Sequence, residues 1–391
     1  MLNTNFSPWP SFTQEETDAV QSVLLSNKVN YWTGAEGRKF ENEFSNFAEC
    51  EYAIALGNGT LALDLALKAL SVGEGDDVIV TPRTFLASVS SVVTAGAIPV
   101  FADVDINSQN IEASEIENVL TPKTKAVIVV HLAGMPAEMD AIMALADKYG
   151  FYVIEDCAQA HGAKYKGQSV GSFGHIGCWS FCQDKIMSTG GEGGMVTTND
   201  KSLWSKMWSY KDHGKSHDAI YNREHPSGFR WLHESFGTNW RMTEMQAAIG
   251  RIQLERMDNW TEKRQANAKL IDETARQFNL VNTVDVPSYI EHAEYKHYLF
   301  VRPEYLKEGW NRDRIVEEVV IRGVPCFQGS CSEVYLEKAF DGTGWRPENR
   351  LENAKELGET SLMFLVHPTL TAAEMKKTQD VLYYVLECAQ K

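Results

Sequence analysis

Lys185 follows an apolar segment and precedes a cluster of glycines in the sequence SFCQDKIMSTGGEGG. A lysine at such a place could grip a phosphate, lie in a solvated turn or act as an amine nucleophile. The phosphate-loop interpretation is disfavoured, because nucleotide-binding loops of that type carry their glycines before the lysine. A solvated turn is the ordinary place for a lysine. The apolar approach through GCWSF favours the nucleophile, since a partly desolvated lysine has a depressed pKa and can form a Schiff base.

Asp156 is the candidate partner of Lys185. It ends the apolar segment FYVIED, 29 positions before the lysine. Schiff-base chemistry needs an electron sink, and pyridoxal phosphate is one when a carboxylate pairs with its pyridinium nitrogen. A helix cap or a turn is the alternative role for this aspartate. The two residues together are more informative than either one alone.

A strand-to-helix junction offers a site for the cofactor phosphate. The sequence ALGNGTLALDLAL predicts a strand, a turn containing Gly59 and Thr60, and then a helix. A helix N-terminus directs N–H groups and the positive end of its dipole toward an anion, although a plain capped turn has the same sequence pattern. Phe85 follows the strand segment DVIVTP, where it could stack on a flat cofactor ring or pack in the core.

Short β-rich segments alternate with helical ones between about residue 51 and residue 198. Continuous apolar strands separated by helices predict an α/β fold with a mainly parallel sheet that is covered on both faces. In such sheets the ligand binds outside the carboxyl ends of the strands. Gly59, Asp156 and Lys185 all follow predicted strands, so the topology would bring them to one crevice.

A smaller region follows the predicted sheet. From Thr243 to about Phe278 apolar residues recur at helical spacing over a length unusual for one globular helix, so we predict a connecting helix with a break near Asn259. Strand and helix patterns continue to a final helix from about Thr371. The sequence therefore predicts a large cofactor-binding domain over residues 1–255 and a smaller α+β domain over residues 256–391.

Composition restricts the class of protein. A formal net charge of −16 over 391 residues argues against a nucleic-acid binder that tracks phosphates. The N-terminus lacks the basic start and apolar core of a signal peptide, and no window is apolar for long enough to span a bilayer, so we expect a cytoplasmic protein with no membrane partner. Seven cysteines without repeated CxxC spacing favour reduced thiols over a metal site.

Several motifs, taken in order, are similar to those of a known family: GNGTLAL, TFLAS…AGAIPVFADVD, IEDCAQAHGAKYKG, SFCQDKIMSTGGEGGMVTTND and GTNWRMTEMQAAIGRIQLERMD. They resemble the DegT/DnrJ/EryC1/StrS family of pyridoxal-phosphate-dependent nucleotide-sugar aminotransferases, which have the aspartate-aminotransferase fold, also called fold type I. The resemblance runs from about residue 10 to the C-terminus.

The resemblance implies a role for individual positions. Lys185 would form the Schiff base with pyridoxal phosphate and move a proton in later steps, and Asp156 would keep the pyridine nitrogen protonated. Gln159 would contact the phenolic oxygen of the ring, and Phe85 would stack on the ring. The residues implied in binding the phosphate are Gly59, Thr60 and Ser180.

The resemblance also implies a homodimer with shared active sites. An asparagine just before the RMTE segment would reach the cofactor of the partner subunit, and here that residue is Asn239. Some relatives carry the asparagine two positions later, where this chain has Arg241.

The substrates implied by the resemblance are L-glutamate and a nucleotide-linked 4-keto-6-deoxy sugar. The amino group would be transferred to C4, in the biosynthesis of amino sugars for surface polysaccharides such as the lipopolysaccharide O-antigen. Transfer to C3 is the alternative within the class. A lyase, dehydratase or aromatizing enzyme on the same fold, or a non-catalytic regulator, is the alternative outside it. Family dehydratases carry histidine in place of the lysine, so Lys185 favours transamination.

Two segments depart from the family pattern. The loop TGGEGG is one glycine longer than in many relatives, and GVPCFQGSCSEVYLEKAF differs from the common version that contains His-Tyr. The identity of the sugar therefore cannot be taken from better-known members.

Overall fold

The computed structural model describes residues 6–391. Its helices are α1 (Gln14–Leu25), α2 (Glu36–Phe47), α3 (Gly59–Ala69), α4 (Ala87–Thr94), α5 (Ala113–Val119), α6 (Met139–Tyr149), α7 (Lys201–Lys211), α8 (His217–Tyr221), α9 (Glu244–Leu254), α10 (Met257–Ala275), α11 (Arg312–Ile321), α12 (Glu352–Thr360) and α13 (Ala372–Ala389). Its strands are β1 (Tyr52–Leu56), β2 (Asp77–Val80), β3 (Ile98–Phe101), β4 (Thr124–Val130), β5 (Tyr152–Asp156), β6 (Lys164–Tyr165), β7 (Gln168–Ser169), β8 (Ile176–Ser180), β9 (Gly194–Thr198), β10 (Val281–Thr283), β11 (Ile290–Glu291), β12 (His297–Val301), β13 (Cys326–Phe327) and β14 (Ser361–Phe364).

Seven strands form the central sheet, in the order β1-β9-β8-β5-β4-β2-β3. β9 runs antiparallel to both of its neighbours, and all other pairs in this sheet are parallel. Side chains alternate between the two faces of a strand, so Val78 and Val80 join one apolar cluster while Ile79 joins another. The predicted α/β fold with a mainly parallel sheet, covered on both faces, is confirmed.

A second sheet of four antiparallel strands lies later in the chain, in the order β10-β12-β14-β13. It shares an apolar cluster with α10, α11 and α13, to which Leu299, Ile271 and Leu386 contribute. The last helix begins where the sequence predicts, because the Thr371 side chain caps α13 and Glu374 completes a capping box.

The division of the chain into two domains at residue 255 stays a prediction.

The long helical segment after Thr243 is two helices. α9 ends at Leu254 and α10 begins at Met257, so the predicted position of the break, near Asn259, is wrong by a few residues. Arg256 occupies the junction and forms ion pairs with Glu15 and Glu16 of α1. This contact joins residues about 240 positions apart, so the pattern of the segment itself could not place the break.

Composition leads us to expect no membrane-spanning segment and reduced cysteine thiols. Among residues 6–391, no helix combines the length and the apolarity needed to cross a membrane. All seven cysteines are free thiols, and four of them are buried.

His297, the first residue of β12, fastens this strand to α10. Its Nδ1 lies 3.1 Å from a carboxylate oxygen of Glu294, and its Nε2 lies 2.9 Å from one of Asp272 in α10. Burial lowers the pKa of the imidazole, but the two carboxylates outweigh burial and raise the pKa to about 9. The ring is therefore protonated and paired on both nitrogens at neutral pH.

We predict that His297→Gln destabilises the protein more at pH 6 than at about pH 9.5. A folded-state pKa of about 9, against about 6.5 for an unfolded histidine, gives a stabilisation that is fully present below the unfolded pKa. It is lost as the pH rises through the folded pKa. The shift corresponds to about 3 kcal/mol of unfolding free energy at pH 6. Urea unfolding of both proteins at both pH values measures this difference, and an equal loss at the two values would contradict it.

Candidate active site

The predicted site residues follow the carboxyl ends of strands that lie close together in the central sheet. Asp156 ends β5 and Ser180 ends β8, and these two strands pair directly. Gly59 begins α3 after β1, and only β9 separates β1 from β8. Lys185 follows β8 by five residues. The structure thus places these residues at one edge of the sheet, as the topology predicted.

The first turn of α3 forms an anion cradle with Ser180. The N–H groups of Gly59 and Thr60 donate to no protein acceptor within residues 6–391, and the Asn58 side chain caps the helix by accepting the N–H of Leu61 at 2.9 Å. A Cβ added to Gly59 would stand 2.5 Å from the Cβ of Ser180, so the helix and the strand are in close contact. Free N–H groups, a hydroxyl and the helix dipole fit the phosphate of pyridoxal phosphate.

Asp156 is a buried carboxylate with two hydrogen-bond donors from the protein. Ser88 Oγ donates to its Oδ2 at 2.8 Å, and the N–H of Ala158 donates to its Oδ1 at 3.1 Å. Burial raises the pKa of this carboxyl, against the lowering effects of these donors and of the charge on Lys185. A carboxylate has about four acceptor positions, so Asp156 has room for a further donor such as a pyridinium N–H.

A buried pair, His131 and Glu155, fixes the strand ends beside Asp156. The Nε2 of His131 lies 3.0 Å from Glu155, and its Nδ1 accepts the N–H of Ala137 at 3.1 Å, so the proton resides on Nε2. Glu155 also accepts the N–H groups of Gly171, Phe173 and Gly174. His131, Glu155 and Cys157 are close enough to hold a metal ion, but these hydrogen bonds already use the ligand atoms of His131 and Glu155. We assign the pair a structural role.

Gln159 and Phe85 lie where they can meet a flat, polar ring. The Oε1 of Gln159 accepts the N–H of Ala133 at 2.8 Å, which leaves the amide N–H groups of Gln159 as donors toward an oxygen. Phe85 follows β2 and is 69% exposed, so a face of its ring is open to a ligand. Both placements fit the contacts that the sequence predicts, and the roles themselves stay predictions.

Lys185 is held between an acid and an aromatic ring. Its side chain is 15% exposed, and its Nζ lies 3.7 Å from Asp184 Oδ1 and 5.3 Å from the centroid of the Tyr295 ring. The Tyr295 hydroxyl donates to the other oxygen of Asp184 at 2.5 Å. Partial burial raises the pKa of Asp184, but the Lys185 ammonium and the Tyr295 hydroxyl outweigh this effect and the pKa lies below its usual value. Trp9 donates its indole N–H to the Lys185 carbonyl at 2.8 Å.

Four of these neighbours are not among the residues that the sequence singles out. Ser88 carried a usable signal, because it lies one helical turn after Thr84 at the end of a predicted strand. Asp184 adjoins Lys185, but one acid beside a lysine has no diagnostic spacing. Trp9 lies 176 positions from Lys185, and Tyr295 lies 111 positions from Asp184, so no local pattern could indicate them.

The longer glycine loop after Lys185 uses two residues with left-handed backbones in succession. Gly190 has φ of +84° and Gly191 has φ of +118°, and side chains are rarely compatible with such values. The N–H of Gly191 donates to Ser188 Oγ at 3.1 Å, and Thr189 Oγ1 donates to the carbonyl of Glu192. The extra glycine is therefore accommodated in a turn with its own hydrogen bonds, and Gln246 of α9 also donates to the Glu192 carbonyl at 2.8 Å.

Asn239 is exposed, and its backbone pairs with that of Asp212. Within the part of the chain that the structure describes, Asn239 forms no hydrogen bond with the other predicted site residues. Arg241, the alternative position, donates to Asp212 Oδ1 at 2.7 Å and is engaged within its own chain. The implied contact of Asn239 with a partner subunit stays a prediction.

Residues 10–382 match the family model described as the DegT/DnrJ/EryC1/StrS aminotransferase family. The chain is 42% identical to GDP-perosamine synthase from Escherichia coli O157:H7 over 265 aligned residues. This alignment covers 67% of this chain and 68% of that protein. It is 43% identical over 267 residues to UDP-N-acetyl-3-dehydro-alpha-D-glucosamine 3-aminotransferase from Acidithiobacillus ferrooxidans, with 68% of each chain covered. The X-ray structure of an aminotransferase from Psychrobacter cryohalolentis is 63% identical and superposes with a TM-score of 0.96, covering 98% of this chain and 99% of that one.

We predict that Gly59→Ala weakens the binding of pyridoxal phosphate about tenfold or more, because the added methyl group would overlap Ser180 and push apart two walls of the anion cradle. Gly57→Ala is the matched control, since its Cβ would have its nearest neighbour, Leu61 Cδ1, at an ordinary 3.5 Å. Titration of the cofactor-free variants with pyridoxal phosphate gives the two dissociation constants. Equal constants would contradict the assignment of the cradle.

Proposed function

Because the chain belongs to the DegT/DnrJ/EryC1/StrS aminotransferase family, we propose that it transfers the amino group of L-glutamate to a nucleotide-linked keto sugar. The protein is a sugar aminotransferase that uses pyridoxal phosphate. The observation that carries the proposal is the placement of Lys185 at the same sheet edge as the buried Asp156 and the free N–H groups of α3. An amine, an acid for a ring nitrogen and a phosphate cradle are the three groups that such a reaction requires.

The chemistry can be assigned to the chain's own residues. When bound, pyridoxal phosphate supplies the electron sink that makes the substrate carbon acidic. Asp156 would accept the N–H of the ring nitrogen and keep it protonated, while Gly59 and Thr60 would hold the phosphate. The Lys185 amine would take the proton from the substrate carbon and deliver it to the cofactor carbon on the other side of the shared nitrogen. Asp184, 3.7 Å away, offsets the positive charge that Lys185 then carries.

The position of amination on the sugar is the finer part of the proposal. We take C4 of a 4-keto-6-deoxy sugar as the first candidate, following the family resemblance. One relative is named as a 3-aminotransferase of a 3-dehydro sugar, and this supports C3 as the second candidate. Retention of a lysine at position 185 supports transamination over dehydration. The cytoplasmic location and the role in surface-polysaccharide biosynthesis stay predictions.

The test is a panel of nucleotide-linked 3- and 4-keto sugars, each supplied with L-glutamate and analysed by mass spectrometry. We expect an amino sugar and 2-oxoglutarate in equal amounts, from one 4-keto-6-deoxy sugar. Lys185→Ala should lower the rate at least about a hundredfold, because it removes both the nucleophile and the proton carrier. Amination at C3 would select the second candidate. A sugar product that forms without any amino donor would overturn transamination.

The proposed homodimer is supported by an exposed aromatic surface just before Asn239. Phe229, Trp231 and Phe236 are 78%, 84% and 99% exposed, and the rings of Phe229 and Trp231 lie 4.9 Å apart. Large aromatic side chains that project together from a surface mark contact sites for another protein. We propose that a second copy of the chain covers them, which would bring Asn239 to the partner's cofactor.

We predict that the double variant Trp231→Ser, Phe236→Ser shifts the protein from dimer to monomer and lowers its activity at least about tenfold. The reason is the loss of two large apolar contacts at the proposed interface. Ile321→Ser is the control, because Ile321 is similarly exposed, at 77%, but lies at the end of α11. Sedimentation equilibrium measures the assembly, and an unchanged dimer in the double variant would contradict this interface.

A further inference from the structure

Two further cations lie near Lys185: Lys296, over the same aromatic ring, and Arg264 of α10. The Nζ of Lys296 is 4.8 Å from the centroid of the Tyr295 ring, and the Nζ of Lys185 is 5.3 Å from it. Arg264 of α10 donates from Nη1 to the Tyr295 carbonyl at 3.4 Å. Its guanidinium carbon lies 5.0 Å from the ring centroid of Trp9, whose indole N–H binds the Lys185 carbonyl. We call Lys185, Lys296 and Arg264 the cation cluster.

The cation cluster has more positive than negative charge. In residues 6–391, neither Arg264 nor Lys296 forms an ion pair, and the Nε and Nη2 atoms of Arg264 are buried without a hydrogen-bond partner. Two acids lie nearby. Asp184 already accepts from Tyr295 and faces Lys185, and the buried Glu294 already pairs with His297. Within the described residues, Lys296 and Arg264 therefore have no acid in direct contact to offset their charges.

Neighbouring groups respond to this excess of positive charge. Burial, and then the charge of Arg264, lowers the pKa of Lys296 to about 8. Burial followed by the cluster's charges also lowers the pKa of His161 and of His367 to about 3. Keeping a guanidinium and an ammonium in such a place costs free energy unless an anion joins them. Groups of charges perturbed in this way are typical of functional sites.

An anion that joins the cation cluster would differ from the cofactor phosphate, because the phosphate has its own cradle at the N-terminus of α3. An exchangeable substrate must therefore provide it. The amino donor carries one or two carboxylates within a few ångströms of the carbon whose proton Lys185 would remove. Lys296 is half-buried, which suits a small group with a single charge better than a diphosphate that carries a bulky nucleoside.

We propose that Lys296 binds a carboxylate of the amino donor, with Arg264 as a fixed second charge that strengthens the attraction. The proposal rests on the proposed aminotransferase function, and it adds the residues that attract a carboxylate of the donor. Lys296 would contact the substrate directly. Arg264 would attract the carboxylate through its charge without touching it, since the free nitrogens of Arg264 are enclosed by protein.

The experiment measures binding of glutarate, a dicarboxylate without an amino group, to the cofactor-loaded enzyme by calorimetry. Lys296→Met should weaken binding at least about tenfold, while Lys296→Arg should stay within about threefold of the wild type, because it retains the charge. Lys263→Met is the matched control, because it removes the same charge from an exposed position next to Arg264. Wild-type affinity in Lys296→Met would overturn the proposal.

Steady-state kinetics distinguish an effect on the amino donor from an effect on the keto sugar. They also test the carboxylate site separately from the aminotransferase function. Lys296→Met should raise the half-saturating concentration of L-glutamate in the first half-reaction and leave that of the keto sugar unchanged. An effect on the keto sugar alone would overturn the donor assignment and indicate a diphosphate site. If the wild type binds glutarate through Lys296 but forms no 2-oxoglutarate from glutamate, the aminotransferase function fails while the carboxylate site stands.

Discussion

The active site depends on a carboxylate buried at the end of a central strand. A desolvated aspartate is costly unless donors surround it, and Asp156 obtains them from Ser88 and from the backbone of Ala158. Ser88 can donate only because α4 begins where it does, and the Thr84 hydroxyl lies 2.8 Å from the Ser88 hydroxyl. This hydrogen bond ties the first turn of α4 to the end of β5, and the exposed Phe85 lies just before that turn.

A second constraint comes from the antiparallel strand β9, which lies between β1 and β8. The backbone of Gly194 in β9 is so close to α3 that an added Cβ would stand 2.2 Å from the Asn58 carbonyl oxygen. Gly59 touches Ser180 of β8 in the same way. Gly194, the last glycine of the cluster after Lys185, therefore allows close packing behind the anion cradle and does not form the cradle itself.

Local features could be predicted from the sequence because their causes are local. Apolar strands, the capped start of α3 and the strand-end positions of Asp156 and Lys185 are all specified by neighbouring residues. Tyr295, Lys296 and Trp9 come from distant parts of the chain, so their position around Lys185 depends on how the second sheet and the N-terminal segment pack. The break between α9 and α10 has the same kind of cause, since Arg256 pairs with acids of α1.

The two anion sites differ in the kind of charge that they use. The cradle at α3 attracts its phosphate with backbone N–H groups and a helix dipole, which cannot titrate and do not move, and this suits a group that stays bound through every turnover. Substrate carboxylates must arrive and leave. A lysine beside a buried guanidinium suits this exchange. The two positive charges repel each other, and pairing with an arriving carboxylate relieves this repulsion. The flexible lysine side chain can then release the product. Separate anchors also let two substrates use the site in turn without disturbing the cofactor.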